Sequence, residues 1–302
     1  MKILTYGESG QLGYELMRRG QAFDLDMHGI AYPQTDISEI SQVASEFAGY
    51  RPDLVVNAAA YTNVDEAESE PELAMAINQQ GPANLARICA EHNIPLIHIS
   101  TDYVFDGRKT TPYRETDPVS PLGRYGRSKA AGEMAVRSGL DQHIIIRTAW
   151  LYGSHGHNFV KTMLKLALEK EEIRVVCDQY GSPTSAADLA TAILSITDIY
   201  RRRRAMDWGT YHYCGAGIVS WHGFAKQVIE IGRQYTRLKT TRVEPIQTAD
   251  YPTRAARPAF SALDCSLIQQ RFGISAKPWR DSLKIVVQEL FAAPNSRHHS
   301  NQ

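Results

Sequence analysis

A short apolar, β-prone run, Ile3-Leu4-Thr5-Tyr6, passes at once through Gly7-Glu8-Ser9-Gly10-Gln11-Leu12-Gly13 into a helical stretch from Tyr14 to Arg19 that Gly20 closes. This junction limits the fold more than any other feature of the chain. Glycines at every third position let the backbone bend sharply and approach a pyrophosphate, whose charge then rests on the helix N-terminus. The spacing departs from G-x-G-x-x-G, and taken alone it also suits a tight strand-to-helix turn that binds nothing. The alternation then continues. A weak strand falls near 27–31, a helix near 38–48, and a buried strand over Asp53-Leu54-Val55-Val56-Asn57-Ala58. Helical periodicity runs from Pro71 to His92, followed by a strand at 95–100, a helix at 123–138 and a strand at 144–147. This pattern predicts an α/β fold, a Rossmann-like doubly wound parallel sheet.

Beyond Trp150 the rhythm loosens: helices at 159–170 and 187–201, a turn at Gly181-Ser182-Pro183-Thr184, then loops rich in Tyr, Pro and Arg. Residues 1–150 therefore read as a dinucleotide-binding domain and 151–294 mainly as a smaller mixed α/β substrate-binding lobe. Segments near 185–215 are expected to return to the first domain, and 295–302 to form a disordered polar tail. Thirty-three basic residues balance thirty-three acidic ones, so no global field favours nucleic acid or an anionic membrane. The run Arg201-Arg202-Arg203-Arg204 closes a predicted helix, where it meets the dipole favourably. Cys89, Cys177, Cys214 and Cys265 are spaced for neither a zinc knuckle nor a dense disulfide framework. His155-Gly156-His157 lacks further ligands at metal spacing. No apolar stretch approaches a membrane span, and a cytoplasmic location is expected.

Two further features bear on chemistry. The carboxylate that usually reads an adenosine ribose belongs at the end of the second strand, where this chain has Gly29-Ile30-Ala31-Tyr32. A 2′-phosphate is then tolerated, so NADPH and NADH are both admitted, with Arg18, Arg19 and Arg51 as candidate phosphate partners. The second feature is Tyr125-Gly126-Arg127-Ser128-Lys129, whose phenol and ammonium share one helix face. A cation near a tyrosine stabilises phenolate and is expected to draw its pKa towards neutrality. The motif follows a strand ending in Ser100-Thr101-Asp102, at the sheet edge where such folds bind ligands.

The glycine turn, Asn57-Ala58-Ala59-Ala60-Tyr61, Ser100-Thr101-Asp102-Tyr103-Val104-Phe105-Asp106-Gly107 and Tyr125-Gly126-Arg127-Ser128-Lys129 occur together and in order. The chain thereby resembles the extended short-chain dehydrogenase/reductases. With Arg147-Thr148-Ala149-Trp150-Leu151-Tyr152-Gly153, Gly181-Ser182-Pro183-Thr184 and Arg257-Pro258-Ala259-Phe260-Ser261-Ala262-Leu263-Asp264, it is similar to the dTDP-4-dehydrorhamnose reductases over nearly its whole length. That resemblance implies hydride transfer from NADPH or NADH to C4 of dTDP-4-dehydro-L-rhamnose, giving dTDP-L-rhamnose for cell-surface polysaccharide. It implies Tyr125 as general acid, Lys129 on the nicotinamide ribose and the Thr101 hydroxyl polarising the carbonyl. It further implies Gly7, Gly10, Gln11 and Leu12 at the pyrophosphate, Asp36 and Ile37 at the adenine, and Ala58, Ala59, Ala60, Tyr61 and Ser100 along the cofactor. Thr101, Asp102, Val104, Phe105, Tyr125, Trp150 and Arg257 would meet the sugar nucleotide. Related 4,6-dehydratases carry Glu after the Thr-Asp pair; Tyr103 stands here, which favours plain carbonyl reduction.

Some members of this family bind magnesium through carboxylates at a dimer contact. Glu15 and Glu289 match such ligands, but Ala187 stands where a glutamate is needed, with Asp188 adjacent, so no metal is assigned and a homodimer is left open. The fold alone also leaves two alternatives: a non-catalytic NADP-binding regulatory subunit similar to that of methionine adenosyltransferase, or a reductase of another nucleotide 4-ketosugar.

Overall fold

A computed structural model describes residues 1–292; the tail assigned to 295–302 lies outside the described residues. The first half builds β1 (Lys2–Tyr6), α1 (Gln11–Gly20), β2 (Asp26–Ile30), α2 (Ile40–Tyr50) and β3 (Leu54–Asn57). Next come α3 (Pro71–Met75), a π-helical turn (Ala76–Gln80) and α4 (Gly81–His92), then β4 (Leu96–Thr101), α5 (Arg124–Gly139) and β5 (His143–Thr148). The second half contains β6 (Leu151–Tyr152), α6 (Phe159–Glu169), β7 (Glu172–Val176), β8 (Tyr180–Gly181), β9 (Thr184–Ser185) and α7 (Ala186–Arg203). It ends with β10 (Gly209–His212), β11 (Val219–Ser220), α8 (Trp221–Gly232), β12 (Arg242–Ile246), α9 (Ser266–Phe272) and α10 (Trp279–Ala292).

Six parallel strands form the main sheet in the order β10-β5-β4-β3-β1-β2. Its inner strands β1, β3, β4 and β5 are largely apolar on both faces because helices cover both, whereas the edge strands β2 and β10 are more polar and partly exposed. Ile3, Leu54, Val56, Ile97, Ile144 and Ile146 pack towards α1 and α7, whereas Leu4, Val55, Leu96 and Ile145 pack towards α2, α4 and α5. Each such enclosed aliphatic side chain contributes about 1.5–3 kcal/mol of transfer free energy. After β1 the chain goes to β2 on one side and returns to β3 on the other, so the order reverses at β1/β3 and opens a crevice at the carboxyl ends of these strands. Gly7 lies there at φ +86°, and a Cβ on it would come within 2.6 Å of the Ala59 nitrogen. Only glycine allows that closeness between the first turn and the β3 end.

The smaller lobe has its own core, built by Val160, Met163 and Leu164 of α6, Phe224, Val228 and Ile229 of α8, and Leu283, Val286 and Val287 of α10. Short pairs β12–β7, β11–β8 and β6–β9 tie its loops. The chain leaves and re-enters the main sheet: α7 packs on α1, and β10 adds to the sheet edge beside β5. The region beyond 201, read from sequence as loops, therefore contains α8, β12, α9 and α10. Here α8 packs on α6, α10 on α8, β12 pairs with β7 and α9 lies against β10, so their order comes from tertiary packing.

Candidate active site

Thr101 is the last residue of β4, at the carboxyl edge, and α5 begins beside it, presenting Tyr125 and Lys129 on one face. The Thr101 hydroxyl donates to Asp102 Oδ1 (3.0 Å) and accepts from the Tyr103 N–H (3.2 Å). Burial pushes the Tyr125 phenol up to about 12, while the Thr101 hydroxyl pulls the other way and the Asp102 carboxylate adds to the rise. The phenol is therefore a protonated donor at neutral pH. Lys129 is enclosed, its ammonium donating to the Ile99 carbonyl (2.7 Å); burial lowers its pKa to about 8, with Glu133 opposing. The expected lowering of the phenol by the lysine is thus corrected: the ammonium is turned to the β4 backbone, and desolvation of the ring governs.

Beneath these groups runs a buried ionic network that the motif does not reveal. Glu133, one turn after Lys129, accepts from Ser100 Oγ (2.6 Å) and from Arg147 Nε and Nη2 (2.8 and 2.7 Å). Burial alone would raise this carboxyl; the Arg147 fork outweighs it and holds the group below its ordinary value. Ser100 is thereby fixed under the sheet edge. Asp102 is enclosed as well: burial lifts it to about 6, partly offset by the hydroxyls of Ser261 and Thr101, and its Oδ2 has no partner among the described residues.

On the β1/β3 side, α1 opens at Gly10 without a side-chain cap, so its first N–H groups face the crevice. Gly7, Gly10 and Gln11 form this mouth, while the Leu12 side chain is buried in the core and leaves only its backbone there. Ala58, Ala59, Ala60 and Tyr61 form the facing wall; Asn57 Oδ1 holds the Ala59 N–H (3.1 Å), and the Tyr61 hydroxyl reaches out to Glu70 (2.7 Å). Asp36 turns back on Ser38, accepting from its N–H and hydroxyl, and Ile37 is buried beside Gly81.

Three asparagine and histidine contacts escaped sequence reading. Asn78, inside the π-helical turn, accepts the Tyr61 N–H (2.9 Å) and donates to the Tyr61 carbonyl and to Ser128 Oγ (3.0 Å each), clamping the β3 wall to α5. Asn158 donates to Gln11 Oε1 (3.0 Å). His155 stacks on Tyr14 (4.2 Å) and bonds the Ser9 carbonyl (3.0 Å), so the loop after β6 braces the glycine turn. A buried asparagine in an apolar helical run was the one available signal for Asn78.

The three arginines proposed for a 2′-phosphate are placed elsewhere. Arg18 and Arg19 lie in the last turn of α1 and bind Glu15 (2.9 and 2.8 Å), and Arg51 follows the C-terminus of α2, at the opposite edge of the sheet. Of the residues expected at the sugar nucleotide, Val104 and Phe105 are fully enclosed, Phe105 stacking on Tyr113 (4.2 Å), so neither side chain offers area to a ligand. Trp150 is half-buried at φ +48° and stacks on Trp221 (3.5 Å). Arg257 is forked onto Asp65 (3.1 and 2.7 Å), tying the lobe to the β3 wall. The carboxylates weighed for magnesium are engaged within the chain. Arg18 bridges Glu15 and Glu289, Asp188 is held by Lys277 (2.9 Å) and Ser282, and no three candidate ligands converge among the described residues.

A parallel sheet reversing at a glycine turn, with Thr101, Tyr125 and Lys129 at its carboxyl edge and a second lobe alongside, defines the extended short-chain dehydrogenase/reductase class. Within it, residues 1–292 match the RmlD substrate binding domain family. A dTDP-4-dehydrorhamnose reductase of Sinorhizobium fredii is 41% identical over 291 residues, spanning 96% of this chain and 98% of the relative. The crystal structure of a dTDP-4-dehydrorhamnose reductase from Clostridium acetobutylicum superposes with a TM-score of 0.90 at 36% identity, covering 96% of this chain and 99% of that one. One from Bacillus anthracis, in complex with NADP, gives 0.87 at 37%, covering 95% and 99%. The chain belongs to the dTDP-4-dehydrorhamnose reductase family. No helix among the described residues is long and apolar enough to cross a membrane.

Proposed function

We infer that this chain reduces the C4 ketone of dTDP-4-dehydro-L-rhamnose to dTDP-L-rhamnose with a reduced nicotinamide cofactor. The observation that carries the reading is the juxtaposition of a protonated phenol, a threonine hydroxyl and a lysine at the carboxyl edge of β4. The bound nicotinamide supplies the hydride. Gly7, Gly10, Gln11 and Leu12 would hold the pyrophosphate on the uncapped start of α1, with Ala58, Ala59, Ala60, Tyr61 and Ser100 along the opposite wall and Asp36 and Ile37 towards the adenine. Lys129 would bind the nicotinamide ribose hydroxyls through the ammonium that now rests on Ile99. Tyr125 donates the phenolic proton to the oxygen at C4 as charge develops there, and Thr101 steadies that oxygen with its hydroxyl.

The sugar nucleotide would lie between sheet and lobe against Asp102 and Trp150; Val104 and Phe105 support this floor from beneath, and Arg257 sets the wall through Asp65. The fully retained trio of donors argues against a purely regulatory role, and names of near-full-length relatives favour this sugar over another 4-ketosugar. Purified protein mixed with freshly generated dTDP-4-dehydro-L-rhamnose should oxidise NADH or NADPH, followed by absorbance, and form dTDP-rhamnose. Cofactor binding with no turnover on this or related 4-ketosugars would refute the reaction. Light scattering on the same sample, with and without added magnesium, tests for a homodimer.

A further inference from the structure

We propose that Glu8, inside the glycine turn, selects the cofactor, and that its carboxylate makes this chain prefer NADH to NADPH. The proposal rests on the hydride-transfer reading above. Gly29-Ile30-Ala31-Tyr32, at the end of β2, offers no acid to an adenosine ribose. The glycine turn supplies one instead. The N–H groups of Gly7 and Glu8 both donate to the Ile30 carbonyl (2.7 and 3.2 Å), pinning Glu8 against the last residue of β2. Its side chain then lies across Gly29: a Cβ on that glycine would fall 2.7 Å from Glu8 Cβ and 2.9 Å from Glu8 Cδ. Any larger residue at 29 would displace the carboxylate, so the bare glycine and the acid fit as a pair. In doubly wound folds this is the place where a carboxylate accepts the ribose hydroxyls.

Glu8 is half-buried, and its oxygens have neither a hydrogen bond nor an ion pair among the described residues. Among the described residues no lysine, arginine or histidine nitrogen forms an ion pair with Glu8; Arg18 and Arg19 are bound to Glu15 towards the far end of α1, and Arg51 stands at the other sheet edge. A ribose diol brings two O–H donors to such a carboxylate. A 2′-phosphate brings nearly two negative charges and no compensating partner.

The test is titration of the full chain with NADH and with NADPH in the absence of sugar, followed by tryptophan quenching and by calorimetry. NADH should bind at least about tenfold more tightly, and the gap should narrow as salt is raised. Glu8→Gln should bring the two within roughly threefold, and Glu8→Arg should reverse the order. Equal affinities in the parent, or a ratio that Glu8→Gln leaves unmoved, would overturn the selection by Glu8 while leaving the reaction standing. Failure of both nucleotides to bind would overturn the cofactor reading and the selection together.

Discussion

Converting Asp102 to asparagine removes a buried negative charge while keeping the side chain's shape. Asp102 is 2% exposed, and burial raises its carboxyl from 3.8 to about 6, with the hydroxyls of Ser261 and Thr101 offsetting only part of the rise. A raised folded pKa means that the native chain holds this proton more tightly than the unfolded one. Stability therefore falls as pH climbs from about 4 to about 6, and the whole penalty is present above that window. A difference of roughly two pKa units corresponds to about 3 kcal/mol. The amide oxygen of Asp102→Asn still accepts from Thr101, so the variant should be up to about 3 kcal/mol more stable at pH 7.5, a rise of several degrees in melting temperature. At pH 4 and below the gain should vanish, because the parent carboxyl is neutral there too. Urea unfolding at both pH values, read by tryptophan fluorescence and circular dichroism, provides the measurement. No gain at pH 7.5, or the same gain at pH 4, would refute the reasoning. A stabilised variant with reduced turnover would mark Asp102 as a charge kept for the site at the expense of the fold.

Three other outcomes are expected. Tyr125→Phe keeps the ring and loses the proton donor, so turnover should fall by about 10²–10⁴ while nucleotide affinity stays within about twofold; steady-state kinetics with a binding titration checks both. Burial lowers Lys129 to about 8, so its ammonium is present below that pH, and kcat/KM for the reduced cofactor should decline as pH rises through about 8. Glu133→Ala strands the buried Arg147 and should destabilise by about 3–5 kcal/mol, whereas the pair Glu133→Met with Arg147→Met should recover much of that in denaturant unfolding.

The site was legible wherever chemistry needs particular residue types at short spacing. Tyr125 and Lys129 share a helix face by periodicity, and Thr101 ends a strand whose apolar run announces its place in the sheet. What supports them was not legible. Ser100, Glu133 and Arg147 come from β4, α5 and β5, and nothing in the spacing of 100, 133 and 147 distinguishes that buried fork from solvated charges. Asn78 and His155 meet the crevice at the glycine turn and the β3 wall only because a π-helical turn and a loop of the smaller lobe are folded back onto it. The arginines weighed as phosphate partners show the opposite case: close in sequence to the glycine turn, Arg18 and Arg19 are carried to the far end of α1 by the helix itself.

The amino-acid sequence by itself determined the alternation of strands and helices, the glycine turn and the proposed trio of Thr101, Tyr125 and Lys129, because each depends on local periodicity or on backbone freedom at single residues. Tertiary structure decided the charges. It set the Tyr125 phenol high and the Lys129 ammonium low through desolvation, bound Arg257 to Asp65, and laid Glu8 across Gly29. Solvent exclusion and cross-chain pairing arise only when distant segments meet, so the protonation state and direction of these side chains were fixed by packing, on residues whose identity was already written.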